Sequence, residues 1–405
     1  MSEWKTYRLE DLCTSKGSYG IGAPAVAYDV NKYTYLRITD INDDGTLNHN
    51  GLMSVDDERA GDYLLKENDI VFARTGNSTG RTYFYDGRDG ELVYAGFLIK
   101  FSLDNKKVNP RILKYYTHSQ PYYDWVRSFD TGGTRGNINA KVFGAMPITL
   151  PPRYQQDRIV EILKSFDDKI ELNRRINANL EAQAQALFRS WFVDFEPFRD
   201  GPFVDSELGK IPQGWKVGAA SEFYKNITIG KTPPRKEHQW FSKESHDIVW
   251  VSIADMGNCG LSICNSSEYL TPEAIKKFNI CIVPVNTVLL SFKLTIGRVV
   301  IADKELATNE AIAHFQTQHN TLEYTYLALK NYEFSSLGST SSIATAVNSK
   351  IIKSMPWMMP SDDVLNQFHN VLSPIFNGIR NNIQEITRLS ALRDTLLPKL
   401  MAGEF

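Results

Sequence analysis

Two long segments of the chain place apolar residues at alternating steps of three and four. The first follows Pro151 and continues to Trp191, and the second follows Pro360 and continues to Leu400. Such spacing over about five heptads predicts a coiled-coil seam rather than an ordinary surface helix. Proline loses no hydrogen bond in the first helical turn, so both prolines suit a helix start. The pattern therefore predicts two long helices, which we expect to pack as an antiparallel coiled coil.

The residues predicted to form this seam fall into two sets. They are Ile159, Phe166, Asn173, Leu180 and Leu187 in the first helix, and Phe368, Ile375, Asn382, Leu389 and Leu396 in the second. Asn173 and Asn382 occupy the same seam position, where a polar residue costs stability but can fix the register if the two side chains meet. Pro374 should kink or delay the second helix. The alternative is two independent amphipathic helices, each covering its own domain.

The segments before the two helices repeat each other. Residues 138–151 return as residues 347–360, with Asn-x-Lys, Met-Pro and a second proline at the same spacing. Residues 35–41 match residues 250–256, and both alternate as half-buried strands should. In addition, a strand, a polar Gly-containing loop and a Gly-Arg pair at residues 68–81 return at residues 286–298. We therefore expect one scaffold, used twice, with loops that differ in length.

The repeat divides the 405 residues into five predicted parts. Residues 1–150 and 214–360 form two α/β domains, which we name the first head and the second head. Residues 151–194 and 361–405 form the two helices. Residues 195–213 are rich in proline and glycine and form a connector. The predicted fold class is α+β, with each head followed by a long helix.

Composition excludes several classes of protein. The N-terminus has no signal-peptide character, and no apolar run is long enough to cross a bilayer, so we expect a cytoplasmic protein without a membrane partner. Four cysteines without a CxxC pair indicate free thiols rather than a metal site. The formal net charge of −2 is unfavourable for a nucleic-acid-binding protein. Any phosphate contacts must therefore come from local patches or from a partner subunit.

Several further stretches complete a family pattern. They are residues 229–233, 238–240 and 248–256 in the second head, residues 150–160 and 187–195 around the first helix, and residues 400–405. Together with the order head, helix, head, helix, they resemble the specificity subunit of type I restriction–modification enzymes. The first head departs from the pattern, because Tyr-Gly-Ile-Gly-Ala-Pro at residues 19–24 replaces the Gly-x-Thr-Pro found in the second head.

The resemblance implies a non-catalytic subunit that reads double-stranded DNA. Each head would read one half of a split target, and the helices would set the spacing and dock two DNA-methyltransferase subunits. Those subunits would use S-adenosylmethionine to methylate adenine N6, and two motor–nuclease subunits would use ATP and Mg²⁺. This chain itself would hold no cofactor. A coil of about 35 residues spans roughly 50 Å, which is compatible with half-sites about one DNA turn of 34 Å apart.

Loop residues with hydrogen-bond donors are the candidates for DNA contact. They are Arg74, Thr75, Asn77, Ser78, Arg81, Thr134, Arg135, Asn137 and Lys141 in the first head, and Lys231, Thr232, Ser291, Lys293, Thr295, Arg298, Ser341 and Lys350 in the second. Arginine suits the O6/N7 edge of guanine, and asparagine suits adenine. The alternative is that Arg74 and Arg298 cap strands or pair with carboxylates. Asn139 and Asn348 are expected to end a loop and start a strand.

Two other functions compete with DNA recognition. An enzyme acting on DNA is disfavoured, because the chain lacks the Asn/Asp-Pro-Pro-aromatic tetrapeptide of adenine methyltransferases and a GxxxxGK[ST] loop for ATP. A protein scaffold whose heads bind something other than DNA stays open. Binding to DNA that weakens steeply with salt would distinguish the two, because it reports neutralised phosphates.

Overall fold

The computed structural model describes residues 4–129, 137–337 and 347–403. These residues form two compact units, one of residues 1–170 with 388–405 and one of residues 171–387. Each unit contains one head and a section of each long helix. The predicted α+β class is confirmed. In the part of the chain that the structure describes, no helix combines the length and the apolar character that crossing a membrane requires.

The first head is built mainly from short strands. Its elements, with the first long helix, are β1 (Lys5–Arg8), β2 (Ser18–Tyr19), β3 (Ala25–Val26), β4 (Thr34–Leu36), β5 (Met53–Val55), β6 (Asp69–Ala73), β7 (Thr82–Phe84), β8 (Leu92–Tyr94), β9 (Leu98–Ser102), α1 (Pro110–Tyr116), α2 (Gln120–Arg127), α3 (Ala140–Gly144), β10 (Pro147–Leu150) and α4 (Arg153–Phe192). The strand orders are β2-β9-β6-β7 and β3-β5-β4-β8, and β1 pairs with β10. β4 and β8 run parallel, whereas β6 lies antiparallel to both of its neighbours.

The second head repeats this topology. The connector, the second head and the second long helix comprise β11 (Phe203–Ser206), β12 (Gly209–Pro212), β13 (Lys216–Ala219), α5 (Ala220–Phe223), β14 (Ile227–Ile229), β15 (Phe241–Ser242), β16 (Ile248–Val251), α6 (Ile253–Asn258), β17 (Ser262–Ile263), β18 (Glu268–Leu270), α7 (Pro272–Phe278), β19 (Val288–Ser291), β20 (Val299–Ala302), β21 (Ala307–Thr308), β22 (Ile312–Phe315), α8 (Leu322–Lys330), α9 (Ser349–Ser354), β23 (Pro356–Met359) and α10 (Asp362–Met401). The orders β14-β22-β19-β20-β17 and β15-β18-β16-β21 match those of the first head, with β17 added, and β13 pairs with β23 as β1 pairs with β10.

The two long helices run antiparallel in each unit. In the first unit, the carboxylate of Asp167 on α4 pairs with the guanidinium of Arg393 on α10 at 3.0 Å. In the second unit, the rings of Trp191 on α4 and Phe368 on α10 lie 5.4 Å apart. Phe192 of α4 also packs on Trp215 of the second head at 5.6 Å. The first long helix therefore does not cover only the domain that precedes it, and the predicted antiparallel coil is confirmed.

The predicted seam residues are buried to different degrees. Ile159, Asn173 and Phe368 are buried, while Phe166, Leu180, Leu187, Ile375, Asn382, Leu389 and Leu396 are half-buried. Asn173 and Asn382 do not pair with each other. The Asn382 amide donates to Asn177 Oδ1 at 2.8 Å, and the Asn173 amide donates to Glu385 Oε2 at 2.7 Å. The register thus brings Asn382 opposite the following turn of α4, so each asparagine has a different polar partner.

One prediction about an irregular segment needs correction. Pro374 does not delay the second helix, because α10 is continuous from Asp362. Pro374 lies on the exposed face of that helix, where water can satisfy the carbonyl that proline leaves without a partner. The connector is also more ordered than its composition indicates. It contains the β11–β12 hairpin, and the rings of Phe195 and Phe198 pack on Trp215 at 5.6 and 5.2 Å.

Candidate nucleic-acid interface

In the first head, the loop after β6 meets two other segments. The amide of Arg74 donates to the carbonyl of Phe97 at 3.0 Å, and the amide of Ile138 donates to the carbonyl of Arg74 at 3.0 Å. Thr75 forms an isolated bridge with Asn137. Candidates for DNA contact that lie far apart in the sequence therefore meet at the end of β6.

The guanidinium of Arg74 is oriented by its neighbours. It lies 5.1 Å from the centre of the Tyr19 ring and donates to Asn137 Oδ1 at 3.3 and 3.4 Å. The Tyr19 hydroxyl in turn accepts from the amide of Ala140 at 3.1 Å, next to the exposed Lys141. We name the set Tyr19, Arg74, Thr75, Asn77, Phe97, Asn137 and Lys141 the first surface. It combines cationic, amide and aromatic groups, which suits contact with phosphates and base edges.

Sequence reasoning missed two members of the first surface, Tyr19 and Phe97. Their side chains are 41% and 58% exposed, although aromatic residues in strand-rich segments usually indicate core. Each has an adjacent glycine that could have served as a signal. A Cβ atom on Gly20 would lie 2.2 Å from the carbonyl oxygen of Tyr94, so only glycine fits that site.

Ser78 and Arg81 lie in the same loop but support it from inside. Ser78 is buried. The guanidinium of Arg81 donates to the carbonyl of Ile41 at 3.1 Å and pairs with Asp43 at 2.5 Å. Beneath the loop, the buried Tyr122 donates its hydroxyl to the carbonyl of Gly80 at 2.6 Å. This part of the loop is fixed by the protein itself, whereas Asn77 is exposed.

In the second head, the loop after β19 exposes Lys293, Leu294 and Thr295. Ser291 is buried, and its hydroxyl donates to the carbonyl of Thr295 at 2.6 Å. The guanidinium of Arg298 donates to the carbonyl of Ile253 at 2.5 Å. Ser291 and Arg298 therefore hold the loop, whereas Lys293 and Thr295 are exposed to solvent.

The opening of the second head lies close to this loop, because Thr232 contacts Glu310 and the charge of Lys293 acts on the same carboxylate. The Lys231 ammonium donates to the carbonyls of Phe278 and Asn279, at the C-terminal end of α7, where a cation is favourable. The Thr232 hydroxyl donates to the carboxylate of Glu310. Partial burial acts to raise the pKa of Glu310, but the Thr232 hydrogen bond and the nearby charges of Lys293 and Arg235 hold it below its usual value. We name Thr232, Lys293, Leu294, Thr295 and Glu310 the second surface.

The repeated Asn-x-Lys begins a helix, not a strand as predicted. The side chain of Asn139 accepts from the amide of Val142 at 3.0 Å, and that of Asn348 accepts from the amide of Lys350 at 2.9 Å. Both asparagines thus cap the short helices α3 and α9, because an asparagine oxygen can satisfy amides that lack a helical partner. Lys141 and Lys350 are exposed. Thr134, Arg135 and Ser341 lie outside the described residues.

Comparison with known proteins identifies the family. A model of the type I restriction modification DNA specificity domain matches residues 1–182 and 212–389. The specificity subunit of the type I restriction enzyme HindI from Haemophilus influenzae is 25% identical over 474 aligned positions, covering 100% of both chains. The MjaIX specificity subunit from Methanocaldococcus jannaschii is 28% identical over 72% of this chain and 68% of its own.

A solved structure supports the fold. The crystal structure of a type I restriction-modification system S subunit from M. genitalium matches 98% of this chain and 96% of its own, with a TM-score of 0.53 and 15% identity. The resemblance inferred from the sequence is confirmed by the family match, which includes both heads and most of both helices. This chain belongs to the family of type I restriction–modification DNA specificity subunits.

Proposed function

We propose that this chain is the sequence-reading subunit of a type I restriction–modification complex, with each head reading one half of a bipartite DNA site. The observation that carries the proposal is the repetition of one topology with different exposed side chains at the ends of equivalent strands. The loops after β6 and β19 both end at a Gly-Arg pair that anchors them. A common frame with unlike exposed groups is what two different half-sites require.

In the first head, Arg74 is the strongest candidate for reading a base. Its guanidinium is half-buried and already aligned by Tyr19 and Asn137, so little freedom is lost when it binds. An arginine so placed can donate two hydrogen bonds to guanine. Asn77 can bridge an adenine edge, and Lys141 can contact phosphate. Phe97 adds an apolar face that can contact a thymine methyl group.

In the second head, Lys293 supplies the positive charge and Glu310 an acceptor. A carboxylate can accept a hydrogen bond from the N4 amino group of cytosine, and Glu310 is kept ionised by its neighbours. Lys350 can contact phosphate. The second surface therefore offers one cation beside one anion, and the first surface offers cations with aromatic rings. We infer that the two half-sites differ in sequence.

The long helices are proposed to bind the partner subunits. They carry exposed apolar side chains that the chain itself leaves in solvent, including Leu172 at 48%, Ile176 at 39% and Leu392 at 42%. Exposed apolar residues on a polar helix face suit a protein interface. The proposed partners are two methyltransferase subunits, which bind S-adenosylmethionine, and two motor–nuclease subunits, which use ATP and Mg²⁺. The complex is proposed to act in the cytoplasm, where the chromosome lies.

Methylome sequencing tests the proposal directly. The host strain, a strain lacking this gene and the complemented strain are compared for N6-methyladenine. We expect one split motif to disappear on deletion and to return on complementation. A methylome that is unchanged in a strain shown to express its methyltransferase partner would contradict the proposal, and partners captured through the coil would then have to define the function.

The spacing role of the helices can be tested by adding one heptad to each at matched positions. A heptad preserves the seam and lengthens each helix by about 10 Å, or roughly three base pairs of DNA. We expect the gap of the methylated motif to widen while both half-sites keep their sequences. A gap that stays the same would show that the coil does not set the spacing.

A further inference from the structure

The loop between β19 and β20 contains a leucine that neither its backbone conformation nor burial favours. Leu294 has a φ of +62°, in the left-handed region that side chains other than glycine rarely adopt. In the first head the corresponding bend falls on Gly76, with a φ of +75°. The Leu294 side chain is 98% exposed, the highest value among the exposed large apolar residues that the structure describes. The backbone disfavours this leucine, and burial does not compensate.

The base of this loop is held firmly. The hydroxyl of Ser291 donates to the carbonyl of Thr295 at 2.6 Å and accepts from the amide of Arg298 at 3.0 Å. The amide of Gly297 donates to the carbonyl of Ser291 at 3.0 Å. Phe292 is 1% exposed and anchors the loop in the core. Because the loop is closed by its own hydrogen bonds, Leu294 can enter a partner without a large ordering cost.

The neighbours of Leu294 indicate what that partner is. Lys293 and Thr295, on either side, are exposed and can donate to phosphate oxygens. A protein interface would place such a leucine among other apolar and aromatic residues, whereas an isolated apolar side chain between donors matches the wedges that proteins insert into DNA. A single exposed leucine is by itself ordinary. The left-handed backbone, the fixed loop and the flanking donors together make this one unusual.

We propose that Leu294 inserts between two stacked base pairs of the half-site read by the second head. The inference rests on the proposed DNA recognition and adds to it a means of reading sequence. Pyrimidine–purine steps are unstacked more easily than others. A wedge therefore favours sites that have such a step at the right position, without any hydrogen bond to the bases.

Fluorescence of 2-aminopurine tests the wedge. Duplexes carrying the target defined by methylome sequencing have 2-aminopurine at successive positions of the half-site and are bound by the full chain with its methyltransferase partner. We expect the fluorescence to rise several-fold at one step, because unstacking relieves quenching. Leu294→Ala should abolish the rise and weaken binding about tenfold, in line with the energy of burying a leucine side chain. Leu294→Phe should keep the rise.

Two matched variants separate the wedge from charge and from general effects. Lys293→Ala should keep the fluorescence rise but lower the salt dependence by about one ion, since one phosphate contact is lost. Leu294→Ala should leave the salt dependence unchanged. Val285→Ala removes an exposed apolar side chain before β19, at the opposite end of that strand from the loop, and should change neither quantity.

The outcomes distinguish the wedge from the proposed function. If the wild-type complex binds its target with normal salt dependence and no step brightens, the wedge is wrong and DNA recognition stands. If Leu294→Ala weakens binding only where a thymine carries its methyl group, and uracil removes the effect without any fluorescence change, Leu294 contacts a methyl group and does not unstack. If the wild-type complex shows no salt-dependent binding, the proposed function fails and the wedge with it.

Discussion

The two heads share a backbone frame but place different chemistry at equivalent positions. Arg81 and Arg298 both end the loop after the central strand, and each donates to a backbone carbonyl. The first residue after that strand is Arg74 in the first head and the buried Phe292 in the second. Positions that the heads share hold the loop in place. Positions at which they differ determine what the loop offers to a ligand.

The same contrast continues into the interior. In the first head, the ammonium of Lys100 on β9 lies 3.5 Å from the carboxylate of Asp69 on β6. The equivalent residue on β22 is His314, which is 1% exposed and lies between the hydroxyls of Thr228 and Thr308, at 2.9 and 2.7 Å. One head therefore has a charged pair where the other has a neutral ring. The pairing of strands tolerates both, because each polar group finds a partner within its own head.

The largest effect is expected at a site that both heads share. A Cβ atom on Gly20 would lie 2.2 Å from a carbonyl oxygen, and one on Gly230 would lie 2.1 Å from Thr308 Oγ1 and 2.2 Å from its carbonyl oxygen. Gly20→Ala and Gly230→Ala should each destabilise their own head by about 3 kcal/mol, because backbone must move to make room. Hydrogen exchange with mass spectrometry on the full chain would locate the loss.

Gly22→Ala is the matched control, since a Cβ atom there would have no neighbour within 4 Å among the described residues. It should change stability little. If Gly20→Ala destabilises the first head but Gly230→Ala leaves the stability of the second head unchanged, the two heads are not equivalent at this position. If neither substitution destabilises its head, neither site is tightly packed.

The next effect is a pH dependence of the stability of the second head. Burial lowers the pKa of His314 from 6.5 to about 4. Between pH 6.5 and pH 4, this histidine is protonated in the unfolded chain but neutral in the folded chain. The stability of the second head should therefore fall as the pH drops from 6.5 to 4. The loss approaches about 3 kcal/mol at the lower limit. Hydrogen exchange at several pH values would measure it.

His314→Gln should flatten this pH dependence, because glutamine keeps hydrogen-bonding groups and cannot be protonated. The control is His246→Gln, which changes a histidine of the second head whose side chain is 78% exposed. If the stability of the second head still falls at low pH in His314→Gln, another group must be responsible. The difference between His314 and the Lys100–Asp69 pair would then not explain the pH dependence.

Arg74→Ala tests whether the first surface acts on only one of the two half-sites. Losing a guanidinium that reads guanine should cost about 2 kcal/mol of binding at the half-site of the first head only. Competition between duplexes altered in one half at a time measures the effect on each half. Arg74→Lys keeps the charge but not the planar fork, so it should recover little specificity. Equal losses at both halves would rule out independent reading by two heads.

The parts that could be predicted from sequence are those fixed by local pattern. The heptads predicted α4 and α10, because side-chain period follows directly from backbone geometry. A strand followed by a polar loop and a Gly-Arg pair, repeated in both heads, predicted β6 and β19. Exposure within a loop depends instead on contacts with distant strands. Ser291 and Thr295 look alike in the sequence, yet Ser291 is buried and holds the carbonyl of Thr295.

Three exposed apolar residues were not predicted for a related reason. Tyr19, Phe97 and Leu294 were not among the candidates for DNA contact, because an apolar residue usually goes inside. Only the fold shows that each stands at the exposed end of a strand or loop. The partner of Asn382 was equally hidden, since it depends on the register of two helices and the heptad pattern allows neighbouring turns. In both cases the missing information is long-range.

The smallest effect is expected at two lysines that occupy equivalent positions in the two heads. Lys141 and Lys350 follow capping asparagines at equivalent places and are both exposed. If each contacts one phosphate, Lys141→Ala and Lys350→Ala should each reduce the salt dependence of binding by about one ion, with an affinity loss near 1 kcal/mol at low salt. The loss should not depend on base sequence, which separates it from that of Arg74→Ala. Titrations at several salt concentrations measure the slope. Unequal slopes would mean that the frame itself meets DNA differently in the two heads, whereas equal slopes would assign their divergence to the loops alone.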